Sequence, residues 1–89
     1  MASYTVVLRP SAREAIGRLP NRKIQRQIVA RIERLGLDPR PRGYKVLHGG
    51  KGLCRIRSGD YRIIYRIEDR QLIVAVVRVG GRKDVYQGL

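Results

Sequence analysis

The spacing of apolar residues along the first third of the chain predicts a strand followed by two helices. Tyr4–Arg9 is rich in β-branched and aromatic residues, which predicts a short strand that Pro10 ends. Ser11 and Glu14 have the spacing of a capping box, which marks the start of a first helix. The apolar positions of this helix follow one helical stripe: Ala12, Ala15, Ile16 and Leu19.

A second helix is predicted after Pro20 and Asn21, which break the first one. Asn21 is a suitable N-cap, and Gly36 is a suitable stop. The apolar stripe comprises Ile24, Ile28, Ile32 and Leu35, widened by Val29. Cations occupy the remaining surface: Arg22, Lys23, Arg26, Arg31 and Arg34. The two helices therefore form a hairpin with one apolar side. Its arginines are either a solvated face or contacts with ribosomal RNA.

The second half of the chain reads mainly as strands. Asp38–Gly43 is a stiff, proline-containing connector, and Tyr44–Lys51 has no clear periodicity. Leu72–Val79 is apolar on both faces apart from Arg78, which predicts the central, buried strand. The expected fold is α+β, in the order β-α-α-β-β-β: a helical hairpin packed on one face of a mostly antiparallel four-stranded sheet. A chain of 89 residues is expected to form one domain, 1–89.

Residues 53–66 predict a β-hairpin, and its register depends on where the turn lies. A turn at Ser58–Gly59 pairs Arg57 with Asp60, whereas a turn one residue later pairs Arg57 with Arg62. In the first arrangement, Gly59 supplies the positive φ that the turn needs. The sequence leaves these two registers open.

Both registers place three arginines on one face of the hairpin: Arg55, Arg57 and Arg62. The opposite, apolar face then carries Cys54, Ile56, Tyr61, Ile63 and Tyr65. Like charges that face each other across a strand pair are destabilising. We therefore expect the arginine side to bind an anion, and phosphate is the usual one.

The overall charge points to the same kind of ligand. The chain has 20 Lys and Arg residues against 7 acidic ones, for a net charge of +13, and 16 of the cations are arginine. Arginine contacts phosphate through two parallel hydrogen bonds and stacks on bases, which lysine does not. Such an excess favours nucleic acid or an acidic protein as the partner.

Cysteine, histidine and hydropathy exclude several other classes. A single cysteine excludes an internal disulfide, and Cys54 on the apolar face is expected to be a core residue. With one histidine and no Cys/His cluster, we expect neither a zinc site nor another cofactor. No apolar run approaches 18 residues and no signal-peptide pattern begins the chain, so we expect a cytoplasmic protein with no membrane partner.

Three motifs, in order, resemble those of the RelE/ParE superfamily of toxins, specifically its RelE branch. Leu47-His48-Gly49 is similar to the Leu-x-Gly loop of the family. Gly59–Tyr65 resembles the family's Gly-x-Tyr-Arg-apolar-apolar-Tyr strand, and Arg78–Tyr86 resembles its terminal Val-Gly-x-Arg…Val-Tyr pattern. The likeness spans essentially the whole chain.

This resemblance implies an endonuclease that cuts messenger RNA in the ribosomal A site and is silenced by a cognate antitoxin. It implies that Arg62 contacts the scissile phosphate and that Arg55 is the basic residue of the preceding strand. Arg82 matches the arginine after the last strand, and Tyr86 matches the terminal catalytic tyrosine. The chain departs from the pattern at Leu53, where some RelE toxins have a lysine that transfers a proton, so the general base is left open.

Metal-free RNA cleavage by the 2′-hydroxyl needs a proton acceptor, a proton donor and cations that stabilise the phosphorane charge. Arginines can supply the cations. Tyr86 can transfer a proton or stack on a nucleobase. His48 and Lys51 are candidates for the proton acceptor, and histidine suits that role because imidazole titrates near neutrality. The residues expected to bind RNA beside the catalytic ones are Lys45, His48, Lys51, Arg57 and Lys83. An antitoxin for a protein of charge +13 is expected to be acidic and to cover or distort the arginine side.

Other readings of the same residues stay open. Arg62 could pair with Asp60 or Glu68, Arg57 could pair with Asp60, and Tyr86 could be a packed tail residue. At the level of the whole protein, the alternatives are an inhibitor of DNA gyrase, as in the ParE branch, and an RNA- or ribosome-binding module without catalysis.

Overall fold

A computed structural model describes residues 3–49, 51–81 and 85–88. It has two helices, α1 (Pro10–Gly17) and α2 (Arg22–Leu35). Its strands are β1 (Thr5–Leu8), β2 (Lys45–Val46), β3 (Leu53–Ser58), β4 (Tyr61–Glu68) and β5 (Ile73–Gly81). In the described residues, no helix is both long enough and apolar enough to cross a membrane.

The strands form one mixed sheet in the order β1-β5-β4-β3-β2. Only β1 and β5 pair in parallel, so the α+β class with a mostly antiparallel sheet is confirmed. The sheet has five strands rather than the four expected, because Lys45–Val46 pairs with β3. A strand of two residues is too short to show alternation in the sequence. The prediction that the apolar β5 is the central strand is wrong: β5 is an interior strand, and β4 holds the central place.

The first helix begins differently from the prediction. Arg9 is the N-cap of α1 and Pro10 is its first residue, and no side chain caps the helix. Proline is well suited to that position because it has a fixed φ and no N–H group to satisfy. The expected capping box at Ser11 is therefore wrong: the Ser11 hydroxyl donates instead to the Val77 carbonyl of β5, at 2.9 Å.

The second helix begins and ends where the sequence predicted. The Asn21 side chain accepts a hydrogen bond from the Ile24 N–H at 2.9 Å, which satisfies one of the free donors at the helix start. Gly36 ends the helix with φ −66°, so it does not make a left-handed turn. Its lack of a side chain instead allows the end of α2 to lie close to the backbone before β1. A Cβ at Gly36 would lie 2.9 Å from the Tyr4 carbonyl oxygen, which fixes the distance between α2 and β1.

The main core lies between the helices and one face of the sheet. Its fully buried members come from both layers: Ala12, Ile28, Ile32, Leu35, Ile56, Ile63, Tyr65, Val74 and Val76. Cys54 and the partly buried Tyr61 belong to it as predicted, and burial raises the pKa of the Cys54 thiol. Tyr65 is completely buried, and its hydroxyl donates to the Pro39 carbonyl at 2.7 Å. The helices thus cover one face of the sheet, which we call the helix face. We call the other face, which the helices do not cover, the open face.

Candidate functional site

The register of the β3–β4 hairpin determines which arginines meet on the open face. The turn lies at Gly59–Asp60, and Gly59 has φ +59°, which glycine adopts without strain. Ser58 pairs with Tyr61, and Arg57 pairs with Arg62. Of the two registers that the sequence left open, the structure has the one that places two arginines directly opposite each other.

We call the side chains of Arg55, Arg57 and Arg62 the arginine face. Arg55 pairs with Ile64, which lies two residues from Arg62 in β4 and therefore on the same side of the sheet. All three arginines thus share the face away from the helices. This arrangement was predicted. Arg57 is exposed, Arg62 is half-buried and Arg55 is only 7% exposed. Lys45 pairs with Arg55 from β2 and extends the positive charge to the edge of the sheet.

Two of these arginines have hydrogen-bond donors that the folded chain does not use. The Nε atoms of Arg55 and Arg62 are buried, and neither has a partner among the described residues. Within residues 3–49, 51–81 and 85–88, the one ion pair joins Arg40 to Asp69 at 2.8 Å, so neither Asp60 nor Glu68 neutralises the arginine face there. A buried donor without a partner destabilises a fold by about 1–3 kcal/mol. An ordered water or an anion would satisfy these donors.

A small apolar cluster lies beside the arginine face. Its buried members are Leu53, Ile64 and Val85, and Leu47, Val77 and Tyr86 pack against it. Val85 is 4% exposed and lies over β5, where a Cβ on Gly80 would be 3.5 Å from the Val85 Cβ. This contact brings the C-terminal segment back over the sheet, next to the arginines.

The C-terminal segment places Tyr86 against Arg62. The guanidinium carbon of Arg62 lies 5.9 Å from the centroid of the Tyr86 ring, within the range of a cation–π contact. The tyrosine is half-buried, so its ring is held while part of it faces solvent. Two of the residues predicted as catalytic, from separate stretches of chain, therefore touch.

A cavity of about 250 Å³ opens beside this pair. Its walls are Leu47, His48, Gly49, Lys51, Leu53 and Tyr86. Arg66 of β4 connects the loop of His48 and Lys51 to the sheet, because its Nη2 donates to the Lys51 carbonyl at 3.1 Å. His48 and Lys51 are exposed at its rim, so the loop predicted to bind RNA does lie next to Tyr86. The buried Leu53 makes its part of the cavity wall apolar.

The remaining predicted positions have mixed outcomes. Arg82 and Lys83 lie outside the described residues, so their placement stays a prediction. Arg57 makes no ion pair with Asp60, and its carbonyl accepts a hydrogen bond from Arg31 Nη2 at 2.9 Å. The described part of the chain has no group of three His, Cys, Asp or Glu side chains placed to hold a metal ion.

The sequence prediction missed Arg78 as a member of this region. Its Nη1 donates to the Val85 carbonyl at 3.3 Å and also to the Gln87 carbonyl, on either side of Tyr86. A single cation in an otherwise apolar strand was the available signal, because a buried strand keeps a charge only where the charge has a partner.

Fold and site together define a small, strongly basic α+β protein with three arginines clustered on one face of its sheet. Residues 6–86 match the family model described as the ParE toxin of a type II toxin–antitoxin system, parDE. The chain therefore belongs to the RelE/ParE family of toxins.

Relatives within the family carry RelE-type names. The toxin RelG of Mycobacterium tuberculosis is 31% identical over 84 residues, which cover 94% of this chain and 97% of the relative. A RelE-like toxin protein of Escherichia coli is 34% identical over 87 residues, covering 93% and 90%.

Solved structures agree with the fold. The toxin–antitoxin complex RelBE2 of M. tuberculosis contains a chain with a TM-score of 0.81 at 33% identity, covering 92% of this chain and 94% of that one. The archaeal RelE–RelB complex of Pyrococcus horikoshii gives a TM-score of 0.78 at 26% identity, covering 91% and 97%.

Proposed function

We propose that this toxin is an endoribonuclease that cuts messenger RNA on the ribosome, in the cytoplasm, and so inhibits translation. The observation that carries the proposal is the contact of Arg62 with Tyr86 at the edge of a face whose buried guanidinium donors have no partner in the described residues. An unpaired guanidinium beside a phenol offers a phosphate both positive charge and a group that can exchange a proton. The RelE-type names of the relatives support the same activity.

The reaction would begin with attack of a ribose 2′-hydroxyl on the adjacent phosphorus. The 2′-oxygen loses its proton as it bonds to phosphorus. The bond from phosphorus to the 5′-oxygen then breaks, and the 5′-oxygen gains a proton. Arg62 and Arg55 would stabilise the charge of the phosphorane between these events, and fixed donors of this kind contribute about 10²–10³ in rate. No metal ion takes part in this scheme.

Proton transfer is assigned to the residues around the cavity. Tyr86 touches Arg62 and would exchange a proton with the reacting oxygens or stack on a neighbouring base. His48, in the wall of the same cavity, is proposed as the base because Leu53 at its floor cannot accept a proton. Arg82, which the resemblance also implicates, would add a further cation to the site.

The other cations would hold the RNA backbone and the ribosome. Lys45, Lys51 and Arg57 are exposed around the arginine face, and Lys83 is proposed to act with them. Phosphate contacts release counterions and dominate the affinity of basic proteins for nucleic acid. Because the assigned groups include no base of evident strength, cleavage should be slow on free RNA and should depend on the ribosome to orient the substrate.

The cognate partner is proposed to be an acidic antitoxin that covers the arginine face. The net charge of +13 and the solved complexes of two relatives with their antitoxins support this assignment. Binding of an acidic segment would pair the free donors of Arg55 and Arg62 and exclude the RNA phosphate. A complex with the antitoxin that still cut RNA at the full rate would contradict this part of the proposal.

The function is tested by adding the purified protein to translating ribosomes and mapping the cut messenger by primer extension. The wild type should cut, and Arg62→Ala should cut about 10²–10³-fold more slowly, because one guanidinium at the phosphate is lost. Arg70→Ala is the matched control, since it removes the same charge from an exposed turn far from the arginine face. Equal rates for the wild type and Arg62→Ala would remove Arg62 from the site.

A second candidate function is inhibition of DNA gyrase, as in the ParE branch. It is kept because the matching family model is described as a ParE toxin. The two functions separate in growing cells: DNA damage with intact messengers would favour gyrase, and cut messengers with intact DNA would favour the nuclease. Tight binding to ribosomes without any RNA product would instead indicate a non-catalytic RNA-binding protein.

A further inference from the structure

Arg78 is the only charged residue of β5, and a β-bulge places it on the open face of the sheet. Ile64 pairs with Arg78 but Tyr65 pairs with Val76, so Val77 is an extra residue in β5. Val77 packs into the apolar cluster beside the arginine face. The Val77 carbonyl accepts the hydrogen bond from the Ser11 hydroxyl, which holds the bulge against α1.

The Arg78 side chain reaches from this bulge into the C-terminal segment. Its Nη1 donates to the carbonyls of Val85 and Gln87, and a Cβ on Gly88 would lie 3.4 Å from its Nη2. Residues 85–88 therefore fold around one guanidinium. Tyr86 is the residue between the two carbonyls, so this side chain fixes the backbone on both sides of the tyrosine.

We propose that Arg78 is the positioning residue for Tyr86. By holding the Val85 and Gln87 carbonyls, it keeps the tyrosine ring against Arg62 and in the wall of the 250 Å³ cavity. Hydrogen bonds from a charged donor are about twice as strong as neutral ones, so Arg78 adds to the apolar contacts of Val85 in holding this short segment. The inference deepens the proposed function and rests on it for its catalytic part.

The first test asks whether Arg78 holds the segment, and it does not depend on any activity. Amide hydrogen exchange of the free protein is measured for the wild type, Arg78→Met and the charge-matched control Arg70→Met. The amides of Val85–Gly88 should exchange at least tenfold faster in Arg78→Met, while those of β3 and β4 stay unchanged. Equal exchange in all three proteins would overturn the proposal.

The second test asks whether Arg78 acts through Tyr86 during cleavage on the ribosome. Arg78→Met should lower kcat about 10- to 100-fold with little change in KM, since a displaced group reacts slowly without losing substrate. Arg78→Lys keeps a charged donor and should recover part of the rate. In a Tyr86→Ala background, Arg78→Met should add less than a threefold further loss.

The outcomes of the two tests separate the possible failures. If the effects of Arg78→Met and Tyr86→Ala multiply, Arg78 acts on the RNA itself and the positioning role is wrong. If the wild type cuts nothing, the proposed function fails, yet the exchange measurement still decides whether Arg78 holds Tyr86. If Arg78→Met does not fold, the same comparison is made with Arg78→Lys. The proposal would be contradicted if Arg78→Lys exchanged its amides like the wild type and yet lost all cleavage.

Discussion

The two faces of the sheet satisfy their polar groups in opposite ways. On the helix face, the buried Tyr65 hydroxyl donates to the Pro39 carbonyl, and apolar side chains fill the space around it. On the open face, Arg55 is buried to nearly the same degree, but its Nε has no partner within the described residues. Among residues 3–49, 51–81 and 85–88, the buried side-chain donors without a partner thus lie on the open face.

This difference separates the part of the molecule that stabilises the fold from the part that we propose binds RNA. Burying a charge without a partner is costly, so an unpaired arginine is retained only where a ligand compensates for it. Arg40, which lies in the connector after α2, is by contrast paired with Asp69. The contrast predicts that equivalent substitutions on the two faces have effects of opposite sign on stability.

The largest effect on stability is expected from a truncation on the helix face. Ile63 is completely buried between β4 and the helices, so Ile63→Ala should lower the free energy of unfolding by about 2–5 kcal/mol. Leu37→Ala is the control, because Leu37 is 78% exposed and its truncation should change stability by less than about 0.5 kcal/mol. Urea unfolding measures both. A loss of similar size in the two variants would mean that the helix face is not the main core.

A polar deletion on the open face should raise stability and lower activity together. Arg55→Met removes a buried Nε donor that has no partner in the described part of the chain, and it keeps the apolar length of the side chain. The free energy of unfolding should therefore rise by about 1–3 kcal/mol. The same variant should cut ribosome-bound RNA about 10²-fold more slowly, since a cation of the proposed site is lost. A variant that is both less stable and fully active would show that Arg55 belongs to the fold and not to the site.

The matching deletion on the helix face should lower stability. Tyr65→Phe leaves the Pro39 carbonyl without its donor in a buried place, which should reduce the free energy of unfolding by about 1–2 kcal/mol. Cleavage should be unchanged, because Tyr65 lies on the other side of the sheet. Chemical denaturation of Tyr65→Phe beside Arg55→Met gives the comparison directly, and shifts of the same sign in the two would refute the distinction between the faces.

The arrangement of the arginine face was readable from sequence, whereas its burial was not. Alternation along 53–66 places Arg55 and Arg62 on one side for any two-residue turn. The choice between two such turns stayed open because Gly59 fits either of them. Arg55 is 7% exposed although it lies on the face away from the helices, and no local pattern in the sequence encodes that burial.

Contacts between distant residues account for the other differences. Ser11 has the sequence signature of a cap, yet its hydroxyl bonds to Val77, 66 residues away, because the β-bulge leaves that carbonyl available. Arg78 was recognised only as an exception in an apolar strand, since its partners lie beyond β5. Local propensity therefore predicted the elements and their faces, and tertiary hydrogen bonds decided the roles of individual polar residues.

The smallest expected effect concerns the ion pair that joins the connector after α2 to the β4–β5 turn. Hydrogen bonds from Arg40 and Tyr4 lower the pKa of the Asp69 carboxyl below its ordinary value of about 3.9. A carboxyl with a lower pKa in the folded state stabilises the fold above the unfolded pKa, and this contribution is lost as the pH falls through the folded value.

Asp69→Asn should therefore melt at a slightly lower temperature than the wild type at pH 6, and the difference should shrink as the pH falls below about 4. The difference is expected to be small because both partners are exposed to water and screened by salt. Melting curves between pH 2.5 and pH 6 measure it, with Asp60→Asn as the control, since Asp60 has no ion pair among the described residues. A difference between Asp69→Asn and the wild type that does not change with pH would show that the carboxylate charge of Asp69 does not contribute to stability.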